Sequence, residues 1–152
     1  MPAPVATIRV VRATLQDVDR LVPLFEAYRD FYHRPSSPDI ARRFLTDRLS
    51  RGESVVFLAE ESGSTVGFTQ LYPTFASLSM RAWWVLYDLY VVPAARRRGV
   101  ASLLLDRAKQ LAKETGADGL SLETAVDNPA QKLYEAHGWK RDELFLHYEL
   151  YL

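Results

Sequence analysis

Hydrophobic and polar positions divide the chain into short elements. Residues 7–12 (TIRVVR) are β-branched and predict a first strand. Thr14 follows, with Asp17 three residues later, a variant of the capping box that opens a helix. Val18, Leu21, Val22, Phe25, Tyr28 and Tyr32 then recur at helical spacing. Pro23 falls inside that stretch and predicts a kink, costing up to about 3 kcal/mol unless it sits in the first turns. Residues 33–38 form a turn cluster, and Ser37-Pro38 reads as an N-cap with proline at the first helical position. Ile40, Phe44, Leu45 and Leu49 give a second helix its apolar face, ended by Gly52.

Strands dominate the middle. Residues 54–60 and 65–72 predict a hairpin across a glycine-containing turn at 61–64, followed by a loop rich in Ser and Ala. Residues 83–92 (WWVLYDLYVV) are the most hydrophobic segment and predict a central strand, stopped by Pro93. Val100, Leu104, Ala108 and Leu111 line one face of a long helix that ends at Gly116. Residues 120–125 predict another strand. Residues 129–137 predict a short helix, capped near Asn128 and stopped by Gly138. One or two terminal strands complete the chain to Leu152. The order β-α-α-β-β-β-α-β-α-β(-β) is that of a mixed α/β sandwich. There is no internal repeat, low-complexity tract or linker, so residues 1–152 are expected to form a single domain.

Composition narrows the function. At 152 residues, a lone domain buries about 68–70% of its unfolded surface and needs no staples. Lys plus Arg and Asp plus Glu both number 19, so there is no basic surplus for nucleic acid or an acidic membrane. The absence of Cys excludes disulfides, thiolate zinc sites and a cysteine nucleophile. No apolar run approaches the roughly 18 residues of a membrane span. The N-terminal residues lack a basic, then apolar, leader pattern, so the cytoplasm is the default location. His33, His137 and His147 are scattered without metal-ligand spacing, and no metal is expected.

The chemistry concentrates at residues 89–102. A hydrophobic strand ends at Pro93, and Arg96-Arg97-Arg98-Gly99-Val100-Ala101 leads into a helix. A helix N-terminus offers unpaired N–H groups and a partial positive charge. Gly99 and Ala101 lack bulk, so phosphate oxygens can approach the backbone, and the arginines add charge and forked donors. The plainer alternative is a solvated basic helix start. Cations there oppose the dipole, however, so a compensating anion is expected.

Arg96-x-x-Gly99-x-Ala101 after a hydrophobic strand resembles motif A of the GNAT superfamily of acetyl-CoA-dependent N-acetyltransferases. Asn128-Pro-Ala-Gln-Lys-Leu-Tyr134-Glu-Ala-His-Gly138-Trp139 resembles its motif B. The element order agrees over nearly the whole chain. The resemblance implies a GNAT fold: a mixed, mostly antiparallel sheet flanked by about four helices, with a splayed strand pair forming a wedge for CoA. The pantetheine arm would lie along Leu89, Tyr90 and Val91, bonded to backbone like an added strand. The pyrophosphate would sit at Arg97, Arg98, Gly99, Val100, Ala101 and Ser102, beside Arg96, and Asn128 would touch the arm from the other side. The family commonly places Asn seven residues before the Tyr; here the gap is six, with Asp127 at seven.

The resemblance assigns Tyr134 as the acid for the departing thiolate. A phenol with pKa near 10 keeps its proton at neutral pH. Packing is the alternative role for Tyr134. Asp88 lies in an otherwise apolar or aromatic strand, where a carboxylate is expensive to bury unless paired or used. It is a candidate base or ammonium anchor, or else a structural Asp. A glutamate that related polyamine acetyltransferases carry falls on Tyr87 here. Glu123, Tyr32 and His33 are candidates for the acceptor side, and His147 is a weaker one. Trp83 and Trp84 straddle their strand, facing an acceptor cleft, the core or a subunit interface. The expected function is acetyl transfer from acetyl-CoA to a primary amine of a small molecule, by direct attack in a ternary complex. A protein or histone lysine acetyltransferase is the alternative within the family; a non-catalytic acyl-CoA-binding regulatory module is the alternative outside enzymes. A homodimer is the family's habit. Specificity is expected to rest on the loop after the first helix, residues 73–82 and the terminal strand.

Overall fold

The computed structural model describes residues 1–2 and 6–152. Five strands form one sheet in the order β1 (Ile8–Arg12), β2 (Val55–Glu61), β3 (Ser64–Ala76), β4 (Arg81–Val91) and β5 (Gly119–Leu122). Neighbours from β1 to β4 are antiparallel, and β4 pairs with β5 in parallel. A parallel pair needs a crossover, which the helix α3 (Val100–Glu114) supplies. Helices α1 (Val18–Phe31) and α2 (Pro38–Ser50) connect β1 to β2, and α4 (Gln131–Ala136) follows β5. This is the mixed, mostly antiparallel sheet with four α-helices that the sequence implied.

Both sheet faces are covered, which is why β2 reads as an unbroken apolar run. On one face, Val100, Leu104, Leu105, Ala108 and Leu111 of α3 pack with Phe57, Leu71, Trp84 and Leu86. On the other, Leu21 and Leu24 of α1 and Leu45 of α2 pack with Val56, Leu58 and Phe68. Gly67 of β3 lies under α3. A Cβ there would stand 2.9 Å from the Tyr90 carbonyl oxygen and 3.3 Å from Val100.

Several boundaries differ from the sequence reading. The Thr14–Asp17 capping box forms, with the Thr14 N–H donating to Asp17 at 2.7 Å, but it closes a 3-10 turn at Leu15–Asp17. The α-helix starts only at Val18 and runs through Pro23 to Phe31. The loop expected at 73–82 is mostly strand. Pro73 pairs with Trp84, Thr74 with Trp83 and Phe75 with Ala82, leaving a short turn closed by the Met80 N–H on the Ser77 carbonyl at 3.1 Å. Pro73 costs one ladder donor without ending the strand. β5 stops at Leu122, short of the expected Ala125. The expected terminal strands do not form: residues 140–152 carry apolar side chains at every second position from Leu144, but pair with no strand among the described residues. A strand needs a partner edge as well as a pattern.

Candidate active site

The site starts from an irregularity in β4. Gln70 pairs with Asp88 and Leu71 with Leu86, so Tyr87 is an extra residue, a β-bulge. In a regular strand Leu86 and Asp88 would share a face. Here Leu86 packs on the α3 side, while Asp88 turns to Tyr28 of α1. Tyr87 follows the same turn, its ring 5.3 Å from that of Tyr72.

Asp88 is 5% exposed. Gln70 donates from Nε2 to its Oδ2 at 2.8 Å. The Tyr28 hydroxyl donates to the Tyr87 carbonyl oxygen at 3.4 Å and stands beside the carboxylate. Burial raises the Asp88 pKa above the ordinary carboxylate value, and the bonds from Gln70 and Tyr28 pull it back part of the way. Burial and the Asp88 charge raise the Tyr28 phenol in turn. Gln70 Oε1 is buried without a protein partner.

Tyr134 stands on α4, packed against the α3 side of the core. Burial, then the Tyr32 phenol, raise its pKa above the usual value for tyrosine. Its backbone is fixed by the end of the helix. Trp139 N–H donates to the Tyr134 carbonyl at 3.1 Å and Gly138 N–H to the Glu135 carbonyl at 3.1 Å, a Schellman closure with Gly138 at φ 86°. The Trp139 ring, 6.3 Å from Tyr134, makes the matching apolar contact. The Gly-Trp end of the second motif therefore has a mechanical role in holding Tyr134. Tyr32 caps α1 and packs edge-on to Tyr28 at 5.2 Å.

The expected wedge is present. β4 and β5 pair only from Trp83–Gly119 to Leu86–Leu122. β5 then ends while β4 continues to Val91, so Leu89, Tyr90 and Val91 have no β5 neighbour. The wedge leads to a cavity of ≈ 220 Å³ lined by Val91, Ala95, Arg96, Arg97 and residues 99–102, with Leu133 of α4 opposite. The first intrahelical bond of α3 runs from Leu103 N–H to Gly99 O, 3.1 Å. The amides of Val100, Ala101 and Ser102 are thus unpaired by the helix. Gly99 and Arg97 both have positive φ, 81° and 61°. For Arg97 that conformation costs about 1–2 kcal/mol, strain that turns the backbone at the cavity mouth.

The three arginines separate. Arg97 lines the cavity. Arg96 also lines it, but its Nε donates to the Val91 carbonyl at 2.9 Å and its guanidinium lies over Tyr90. Arg98 makes a two-pronged pair with Glu61 at the end of β2, one prong at 2.9 Å, and does not line the cavity. Asn128 Oδ1 accepts the Ala130 N–H at 2.9 Å, an Asx turn ahead of α4, which leaves its side-chain NH₂ as the available group.

On the acceptor side, His33 follows Tyr32, exposed and at φ 58°. Glu123 lies one residue beyond β5, 3.5 Å from His147 Nδ1; His147 in turn lies 3.3 Å from Glu149. Glu149 accepts the Tyr151 hydroxyl at 2.7 Å. The terminal segment therefore touches the end of β5 at Glu123. Trp83 lies against Gly119 and donates to Ser121 at 3.0 Å, whereas Trp84 is core. Sequence reading missed Gln70, Tyr28 and His137. Gln70 had a signal, a polar residue inside an apolar strand. Tyr28 at helical spacing looked like core. His137, which hydrogen-bonds Ser102 at 2.9 Å, had none.

The profile of the Acetyltransferase (GNAT) family matches residues 21–139. A Bacillus subtilis (strain 168) protein called Uncharacterized N-acetyltransferase YhfO is 44% identical over 142 residues, covering 93% of this chain and 95% of that protein. A crystal structure of a probable acetyltransferase aligns with a TM-score of 0.89 at 48% identity, over 95% of this chain and 97% of the other. The aminoglycoside N-acetyltransferase AAC(6')-Iy, solved in complex with CoA, aligns with a TM-score of 0.83 over 99% of both chains; at 17% identity this is a likeness of fold.

Proposed function

The chain belongs to the GNAT family of acetyltransferases, and we propose that it transfers an acetyl group from acetyl-CoA to the primary amine of a small molecule. One observation carries the reading. The amides that the helix leaves unpaired at the start of α3 belong to residues lining a cavity, and Val91, on the stretch of β4 that β5 does not cover, lines the same cavity.

The residues present fit CoA. The amides of residues 99–102 and Arg97 would hold the pyrophosphate. The backbone of Leu89, Tyr90 and Val91 would hold the pantetheine arm as an added strand, with the Asn128 NH₂ opposite. Arg96 would brace the cavity floor through Val91, and Arg98 would act at longer range from its pair with Glu61. When bound, acetyl-CoA supplies the thioester that the amine attacks.

The chain's own groups then manage protons. Asp88 attracts the incoming ammonium, and its raised pKa suits it to take a proton from it. Gln70 fixes the carboxylate. Tyr134 retains its proton at neutral pH and gives it to the departing sulfur. Tyr72 and Tyr87 offer ring faces to a cationic amine, while Tyr32, His33 and Glu123 border the approach.

The same reading takes residues 1–152 as one catalytic domain, acting in the cytoplasm as a homodimer, with no nucleic-acid or membrane partner and no metal. No helix among the described residues is long and apolar enough to cross a membrane. Leu144, Leu146, Tyr148 and Leu150 are all more than 80% exposed, and a second copy is the proposed cover. Sedimentation showing only monomer would remove the dimer from the account.

The test is thiol release from acetyl-CoA against polyamines, amino acids of both hands, aryl-alkylamines and a histone-tail peptide. Release dependent on a small amine is the expected result. Release with the peptide alone makes the protein lysine reading correct. CoA binding without turnover on any amine makes the chain a regulatory module.

A further inference from the structure

α3 and α4 are joined by a line of three side chains. Ser102, in the first turn of α3, has its Oγ 2.9 Å from His137 Nε2. His137 Nδ1 lies 3.4 Å from Asp106 Oδ1. Ser102 and Asp106 are four residues apart on one helix and so present their side chains on the same face. His137 caps α4, and its backbone N–H donates to the carbonyls of Leu133 and Tyr134 at 3.1 and 3.0 Å. Leu133 and Ser102 line the same cavity from opposite sides. The imidazole thus spans the two walls of the phosphate end of the cleft.

A serine hydroxyl has one hydrogen to give and two lone pairs to accept with. A phosphate only accepts. Ser102 can donate to phosphate only if its hydrogen is not spent on His137. With its hydrogen on Nε2, His137 donates to Ser102 Oγ. The Ser102 O–H is then free to point into the cavity.

We propose that His137 is a positioning residue for the pyrophosphate of CoA, aiming the Ser102 hydroxyl and tying α4, with Tyr134, to the start of α3. The inference rests on the CoA reading above.

The test compares wild type with His137→Ala, His137→Gln, Ser102→Ala and the double Ala variant. Affinity for CoA is measured by calorimetry. KM and kcat are measured with acetyl-CoA and with S-acetylpantetheine, which lacks the pyrophosphate. His137→Ala and Ser102→Ala are each expected to weaken CoA about tenfold, the scale of one hydrogen bond to a charged group. The double variant should lose no more than about twofold beyond either single one, since both act through one hydroxyl. KM for acetylpantetheine should stay within about twofold of wild type, because that donor makes no such bond. His137→Gln, whose amide can donate to Ser102, should recover most of the CoA affinity. An unchanged CoA affinity in His137→Ala, an equal loss with both donors, or additive losses in the double variant would overturn the proposal. If His137→Ala fails to fold, Ser102→Ala and His137→Gln decide by the same ratio of donors. Wild type that binds no CoA defeats the underlying reading, whereas wild type that binds CoA with unaffected variants defeats only this inference.

Discussion

Gln70 and Asp88 face each other across the β3–β4 ladder, and Gln70 Nε2 reaches the buried carboxylate at 2.8 Å. The contact exists because the bulge at Tyr87 shifts the register by one residue. The amide is one of two groups that stabilise charge on Asp88 against burial.

Replacing Gln70 by Leu removes that donor and leaves a buried carboxylate short of a partner. The Asp88 pKa should rise further, because the lost bond was the one lowering it most. The acid limb of the kcat/KM profile is expected to move to higher pH. Stability at neutral pH should fall by about 1–3 kcal/mol, the cost of an unmet buried polar group. A pH–rate profile beside urea unfolding checks both.

Asp88→Asn separates charge from shape. Activity is expected to fall by about 10²–10⁴, the range of a positioned acid or base. The stability effect has a definite sign. The folded pKa of Asp88 is raised above its ordinary 3.8, so the folded state binds more protons than the unfolded state over the interval between the two. Wild type should therefore lose stability relative to the Asn variant as pH rises from about 4 through the folded pKa, and the difference should then level off. Urea midpoints measured across that range would show it. A gap that widens as pH falls would contradict the raised pKa.

Gly67→Ala tests the link between packing and the wedge. The new Cβ would press on the Tyr90 carbonyl at 2.9 Å and on Val100 at 3.3 Å. Overpacking of this kind costs about 1–3 kcal/mol. Tyr90 lies on the stretch of β4 that has no β5 neighbour, so KM for acetyl-CoA should rise along with the loss of stability. Denaturant unfolding and donor kinetics on the same preparation check the pairing of the two effects.

Much of this arrangement was legible in the sequence. The apolar and β-branched runs marked all five strands, and the Arg-x-x-Gly-x-Ala turn marked the cavity. The bulge was not legible. Residues 83–92 read as an uninterrupted apolar strand, and regular alternation would place Tyr87 and Asp88 on opposite faces. The Ser- and Ala-rich stretch after residue 72 reads as a loop, yet Pro73, Thr74 and Phe75 continue the pairing. The terminal segment had the period of a strand, but pattern alone cannot supply the neighbour that makes one. His137 looked isolated because its partners Ser102 and Asp106 belong to another helix. Spacing along the chain carries no trace of that contact.

The most direct test is thiol release from acetyl-CoA with and without a saturating amine, in wild type beside Tyr134→Phe. Removing the hydroxyl proposed to protonate the departing sulfur is expected to lower kcat by about 10²–10⁴. CoA affinity should stay near wild type, since the Schellman closure and the Trp139 contact hold the ring position without the hydroxyl. Because burial raises the Tyr134 pKa, wild-type turnover should also persist to a pH at or above the ordinary phenol value of about 10. Amine-dependent release that is unchanged in Tyr134→Phe would contradict the assignment of the acid, and wild type that neither binds CoA nor releases thiol would contradict the account as a whole.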